Sequence, residues 1–122
     1  MKKILVTGAA GFIGFHLSKK LIEQGYAVIG IDNVNNYYDI NLKKARLKIL
    51  QKLQNFKFFE IDISDQSTLR ELGQSNNFQI IINLAAQAGV QYSIENPYVY
   101  MVSMISGFLN ILELSKDQNV EH

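Results

Sequence analysis

The sequence predicts an α/β fold, a parallel sheet with helices on both of its faces, and three observations carry that expectation. Short apolar, β-branched runs alternate with amphipathic helical runs from one end to the other, the pattern of parallel strands joined by right-handed crossovers. A glycine-rich turn stands between the first strand and the first helix. Hydrophobic residues make up 48% of the 122 residues and charged residues 19%, a balance with which one domain can bury a core. Residues 1–122 are therefore read as a single domain.

The elements follow in order. Lys3–Thr7 is a short apolar strand of the kind buried on both faces. Residues 12–24 form a helix with Ile13, Leu17 and Leu21 on one side, closed by Gly25. Residues 27–31 make a second buried strand, and residues 33–39 a polar loop containing tyrosine. A basic amphipathic helix covers residues 40–53, with Leu42, Ala45, Leu47, Ile49, Leu50 and Leu53 expected to pack. Its Lys43, Lys44, Arg46, Lys48 and Lys52 are expected to form a solvated face. Residues 56–61 are the third strand, and residues 66–72 a short helix capped from Ser64. Residues 78–84 are the fourth strand, and Asn96-Pro97 opens a last helix over residues 98–116.

Composition excludes several classes of function. A formal net charge of +1 offers no field to attract nucleic acid or an anionic membrane surface. The absence of cysteine removes a disulfide scaffold, a thiolate metal site and a cysteine nucleophile, and it suits a reducing, cytoplasmic setting. Lys2 and Lys3 before an apolar stretch superficially resemble a secretory signal, but three glycines interrupt the stretch and a helical pattern continues beyond it. No uninterrupted apolar run is long enough to predict a transmembrane helix. His16 and His122 stand far apart with no carboxylate cluster, so no metal site is expected.

The turn reads Thr7-Gly8-Ala9-Ala10-Gly11-Phe12-Ile13-Gly14. A dinucleotide pyrophosphate needs backbone N–H groups at a helix N-terminus with no side chain in the way. Gly8 permits a sharp exit from the strand, Gly11 a close approach of backbone to phosphate, and Gly14 close packing of helix on strand. Ala10, Phe12 and Ile13 complete the loop. Asp32 follows at the end of the second strand, where a carboxylate can accept hydrogen bonds from ribose hydroxyls and repel a 2′-phosphate. Asn33 beside it brings no cation. The pair therefore predicts NAD rather than NADP, and the whole a Rossmann-like three-layer αβα arrangement with strands in the order 3-2-1-4.

The Gly-x-x-Gly-x-x-Gly spacing resembles that of the extended short-chain dehydrogenase/reductases, the NAD-dependent nucleotide-sugar epimerases and dehydratases. Asp62-Ile63-Ser64-Asp65 resembles the family's adenine-contacting turn. Asn83-Leu84-Ala85-Ala86-Gln87-Ala88-Gly89-Val90 resembles its fourth-strand motif, whose backbone, at Leu84, Ala85, Ala86 and Gln87, lines the cofactor. Asn96-Pro97 and Gly107-Phe108-Leu109-Asn110-Ile111-Leu112-Glu113 resemble its next helix. The segment Asp32-Asn33-Val34-Asn35-Asn36-Tyr37-Tyr38-Asp39, with Leu42-Lys43 and Arg46-Leu47, is similar to that of the UDP-glucuronate 4-epimerases involved in capsular polysaccharide synthesis. The resemblance spans the chain, which would be about the first third of such an enzyme. Three positions depart from the pattern: Asn83 where His is usual, Gln91 where Arg is usual, and Met104 where Asn is usual.

The resemblance implies a catalytic Tyr-x-x-x-Lys pair and a Ser or Thr on a later strand, with tyrosine taking the sugar 4-hydroxyl proton while C4 gives hydride to NAD. Four residues after Tyr26, Tyr37, Tyr38, Tyr92, Tyr98 and Tyr100 stand Gly30, Asn41, Leu42, Asn96, Val102 and Met104, none of them lysine. No residue is therefore assigned a catalytic role, the nucleotide-sugar domain is expected to lie outside these residues, and the chain is expected to be inactive alone. Tyr92 and Ser93 follow the fourth-strand motif and are weighed between a nicotinamide- or sugar-facing place and loop packing. The alternative function is a non-catalytic dinucleotide-binding or regulatory module. Homo-oligomerisation is expected from an open fourth-strand edge, Ile80-Ile81-Ile82-Asn83-Leu84. The last helix supports it, since Met101, Val102, Met104, Ile105, Phe108, Leu109, Ile111 and Leu112 form a face wider than one sheet needs.

Overall fold

The computed structural model describes residues 1–34, 40–85 and 94–122. Four strands, β1 (Lys3–Thr7), β2 (Ala27–Asp32), β3 (Phe56–Glu60) and β4 (Ile80–Asn83), form one parallel sheet in the order β3-β2-β1-β4. Between and after them run α1 (Phe12–Glu23), α2 (Ile40–Gln51), α3 (Gln66–Ser75) and α4 (Pro97–Gln118). Alternation along each strand divides the core into two layers. Ile4, Val6, Val28 and Phe56 meet Phe15 of α1 and Leu50 of α2 on one side. Leu5, Ile29 and Ile31 meet Leu69 and Leu72 of α3 and Ile111 and Leu114 of α4 on the other. The three-layer αβα order is the one the sequence predicts.

Side-chain volume decides how close the layers come. Gly30 is the one position of β2 where a Cβ would lie 2.8 Å from the Ala9 Cβ and 2.9 Å from the Phe56 ring, so glycine leaves that room. Helix α1 does not bury the face its apolar residues suggest. Ile13 is exposed and Leu17 and Leu21 are half-buried, whereas Gly14, Phe15 and Ser18 lie inside. The small residues Gly14 and Ser18, one turn apart, bring α1 against the strand end. Gln24 closes α1, with Gly25 beyond it at φ +94°, the left-handed position that favours glycine.

Three further expectations need correction. In α2 only Leu47 and Leu50 are buried, and Leu42, Ala45 and Ile49 face outward. Asp65, not Ser64, caps α3: its carboxylate accepts from the Thr68 N–H at 3.3 Å and the Thr68 hydroxyl at 2.6 Å. Ser64 is already engaged, donating both its N–H and its hydroxyl to Asp62 Oδ1. The β4 edge is not fully open. After α4 ends at Asn119 in the left-handed conformation, Glu121 N–H donates to the Gln79 carbonyl at 2.7 Å and Ile81 N–H to the His122 carbonyl at 3.1 Å. Residues 120–122 thus run beside the beginning of β4.

Helix α4 has the length and apolar composition to cross a membrane by those criteria alone. In this fold its Ile111 and Leu114 belong to the core layer with α3, and Gly107 abuts Ile63. Met101, Val102, Met104, Ile105, Phe108, Leu109 and Leu112, seven of the eight residues expected on its apolar face, are exposed; Ile111 is buried.

Candidate cofactor site

The site gathers at the C-terminal edge of the sheet, where β1 turns into α1. Gly8 leaves β1 at φ +72°, and its N–H donates to the Ile31 carbonyl at 2.8 Å. A Cβ on Gly8 would meet the Leu84 carbonyl group at 2.9 Å, and one on Gly14 would lie 2.1 Å from the Gly8 oxygen. Backbone packing alone requires glycine at both positions. Gly11 is different: its φ of −72° suits any residue, and a Cβ would meet only the Gly8 oxygen, at 3.3 Å. The space over Gly11 is a cradle that a side chain would enter. Gly11 is also the N-cap of α1 and no side chain caps that helix, so its first N–H groups remain for an anion. Phe12 and Ile13, both about two-thirds exposed, stand at the rim.

Asp32 ends β2 beside this loop and is buried. Its Oδ2 accepts the Ala10 N–H at 3.1 Å and its Oδ1 the Val34 N–H at 2.8 Å. One carboxylate therefore ties the phosphate loop to the strand end, and it holds Val34 at φ +49°, a costly backbone region for a β-branched residue. The turn-forming and ligand-facing readings of this aspartate coexist. A cation also reaches it. Lys43 Nζ lies 3.5 Å from Asp32 Oδ1, and both side chains are largely withdrawn from solvent. Arg46 Nη1 donates to the Ala10 carbonyl at 3.2 Å, with its guanidinium 5.8 Å from the centre of the Phe12 ring. Sequence reasoning placed both in a solvated basic face. Lys44, Lys48 and Lys52 are exposed, but Lys43, Arg46, Leu47 and Leu50 share the inward face at spacings of three, four and seven, a signal present in the sequence.

Asn33 Nδ2 donates to Asp62 Oδ2 at 3.4 Å, joining the ends of β2 and β3. The Asp62-Ile63 turn is fixed from above by Asn110 of α4, whose Nδ2 donates to the Ile63 carbonyl at 2.8 Å. Asn110 was not singled out from the sequence; only its place within the resembling helix segment marked it. On the other flank the Thr7 hydroxyl donates to Asn83 Oδ1 and accepts the N–H groups of Leu84 and Ala85, each at 3.0 Å. Asn83 thus supplies the acceptor needed at that position. The structure brings Gly8, Ala10, Gly11, Phe12, Ile13, Gly14, Asp32, Asn33, Asp62, Ile63, Leu84 and Ala85 to one edge of the sheet. Ala86, Gln87, Gln91, Tyr92 and Ser93 lie outside the described residues. His16 is exposed, edge-on to the rings of Phe12 and Phe15.

The glycine loop fits a dinucleotide. Gly11 has no internal reason to be glycine, and the uncapped helix end would hold a pyrophosphate there. The comparisons with known proteins agree with that geometry. Residues 5–122 match the family described as GDP-mannose 4,6 dehydratase. Protein CapI of Staphylococcus aureus is 50% identical over 120 residues, covering 98% of this chain and 36% of that protein. A UDP-glucuronate 4-epimerase of Thermodesulfobacterium geofontis is 49% identical over 117 residues, covering 96% of this chain and 36% of that enzyme. The solved UDP-glucose 4-epimerase of Bifidobacterium longum, in complex with NAD+ and UDP, superposes with a TM-score of 0.81 at 30% identity, over 98% of this chain and 35% of that one. The chain spans about a third of the length of the relatives it matches.

Proposed function

The chain belongs to the GDP-mannose 4,6 dehydratase family, and on that premise we propose that its residues form the NAD-binding part of a nucleotide-sugar 4-epimerase of the UDP-glucuronate/UDP-galacturonate type. The cradle over Gly11, at an uncapped helix end beside a buried aspartate, carries the reading. The first N–H groups of α1 hold the pyrophosphate. Asp32 accepts from the adenosine ribose, the Asp62-Ile63 turn borders the adenine, and the backbone at Leu84 and Ala85 lines the nicotinamide side. Bound NAD supplies the hydride acceptor for the sugar C4. The 122 residues contain no Tyr-x-x-x-Lys pair, so they are assigned cofactor binding and not the proton transfer. The names of the relatives support the epimerase reading.

Two further assignments accompany it. The exposed face of α4 is assigned to a contact between copies of the chain, since a monomer rarely leaves so continuous an apolar surface in water. The cytoplasm is the assigned compartment, as the cysteine-free composition suits it.

Calorimetric titration with NAD tests the central claim. The chain should bind NAD, and Gly11→Ala should weaken binding by about tenfold or more while leaving the circular dichroism spectrum unchanged. Equal affinity in the variant would remove the phosphate loop from the site. The pure 122-residue chain should not interconvert UDP-glucuronate and UDP-galacturonate; turnover would require another base within it.

A further inference from the structure

Asp32 alone would exclude a 2′-phosphorylated adenosine by repulsion, but in this structure the carboxylate is not alone. Lys43 Nζ stands 3.5 Å from Asp32 Oδ1, and the two side chains are only 13% and 5% exposed. An opposite charge at that range and that burial cancels most of the field an anion would meet. Arg46 is held on the other side of Ala10 by the Ala10 carbonyl and the face of Phe12. Asp62, the remaining carboxylate at this end, is engaged by Ser64 and Asn33 on the adenine side. The ribose end of the site therefore carries one carboxylate and two cations. An ammonium has three donors and a guanidinium five, so one contact to Asp32 and one to Ala10 leave donors of both groups for further acceptors.

We propose that Lys43, supported by Arg46, makes the ribose end of this site accept a 2′-phosphate, so that the chain takes NADP as well as NAD. The preference that Asp32 gives NAD is thereby narrowed, and Lys43 is the residue that sets its size. The proposal rests on the reading of the glycine loop as a dinucleotide site, and the experiment separates the two.

Kd values for NAD and NADP are measured by calorimetry on the chain and on Lys43→Met and Lys43→Arg, with circular dichroism as the check on folding. The unaltered chain should bind both cofactors, with Kd values within about tenfold of each other. Lys43→Met should widen the ratio by about tenfold or more, because NADP binding falls and NAD binding does not fall with it. Lys43→Arg should restore the ratio. A Lys43→Met ratio close to that of the unaltered chain, or equal losses for the two cofactors, overturns the proposal while leaving NAD binding in place. A folded chain that binds neither cofactor overturns the dinucleotide reading itself, and this proposal with it.

Discussion

Helices α1 and α4 lie on opposite faces of the same sheet, and each carries apolar residues along its length, yet they use them differently. Helix α1 buries Gly14, Phe15 and Ser18 and leaves Phe12 and Ile13 at the mouth of the cofactor site. Helix α4 buries a single stripe, Gly107, Ile111 and Leu114, and exposes a continuous apolar face beside it. In both, the smallest residue marks the contact. Gly14 stands against the Gly8 backbone, and Gly107 against the Ile63 side chain, 2.5 Å from where its Cβ would be. Bulky apolar residues identify a helix that needs covering; glycine and serine at helical spacing identify the side already covered.

The strongest way to break this contrast is Gly14→Ala. Its Cβ would sit 2.1 Å from a backbone oxygen, and neither helix nor strand can yield without opening the loop, so stability should fall by about 3 kcal/mol. Loss of NAD affinity should accompany it. Thermal melts and calorimetry read both effects; an unchanged melt would show that α1 can move freely. On α4 the two faces should separate cleanly. Ile111→Ala should cost about 2–5 kcal/mol, while Leu109→Ala, on the exposed face, should cost about 0.5 kcal/mol or less. Leu109→Ala should instead weaken self-association, measured by size exclusion with light scattering. Equal destabilisation by the two would mean that the outer face is covered within one chain.

Asn110→Ala makes a smaller change that links α4 to the site. Losing its hydrogen bond to the Ile63 carbonyl should cost about 1 kcal/mol and loosen the adenine-side turn, lowering NAD affinity. An affinity unchanged by this substitution would show that the turn holds itself. The smallest effect is expected at Asp65. Hydrogen bonds from the Thr68 hydroxyl and N–H, and from Ser67, hold its carboxyl below the usual carboxylate range. A carboxyl of lowered pKa stabilises the fold above the pKa it has in the unfolded chain, and loses that contribution as pH falls through the folded value. Asp65→Ala should therefore lower the melting temperature slightly at neutral pH, with the difference shrinking in acid. A difference that persists in acid would assign the effect to helix propensity rather than to the cap.

The sequence made the glycine loop, Asp32 and the strand order legible because each rests on local spacing: a turn, a helix end, an alternation. What escaped it depended on direction or on distance along the chain. Lys43 and Arg46 were grouped with Lys44, Lys48 and Lys52 by composition, although their angular positions on α2 turn them inward. Asp65 takes the cap because Asp62 already engages Ser64. Asn110 and Gly107 act on Ile63, far away in sequence. The pairing of Glu121 and His122 with the β4 edge depends on the reversal at Asn119, which no apolar periodicity encodes.

Strand β1 joins β2 through Ile4 and Val28, and β4 through Ile4 and Ile80, so the second pairing closes a loop about three times as long as the first. Longer closures cost more chain entropy, and contacts distant in sequence slow folding. Assembly should therefore proceed from the β1–β2 pair outward, with β4 recruited late. In pulse-labelled amide exchange, the Ala27 amide, bonded to the Lys2 carbonyl, should gain protection before those of Gln79 and Leu84, bonded to the carbonyls of Lys3 and Thr7. Simultaneous protection of all three would indicate a nucleus that already spans both neighbours of β1. The late order would leave the β4 flank of the cofactor site the last part of it to be built.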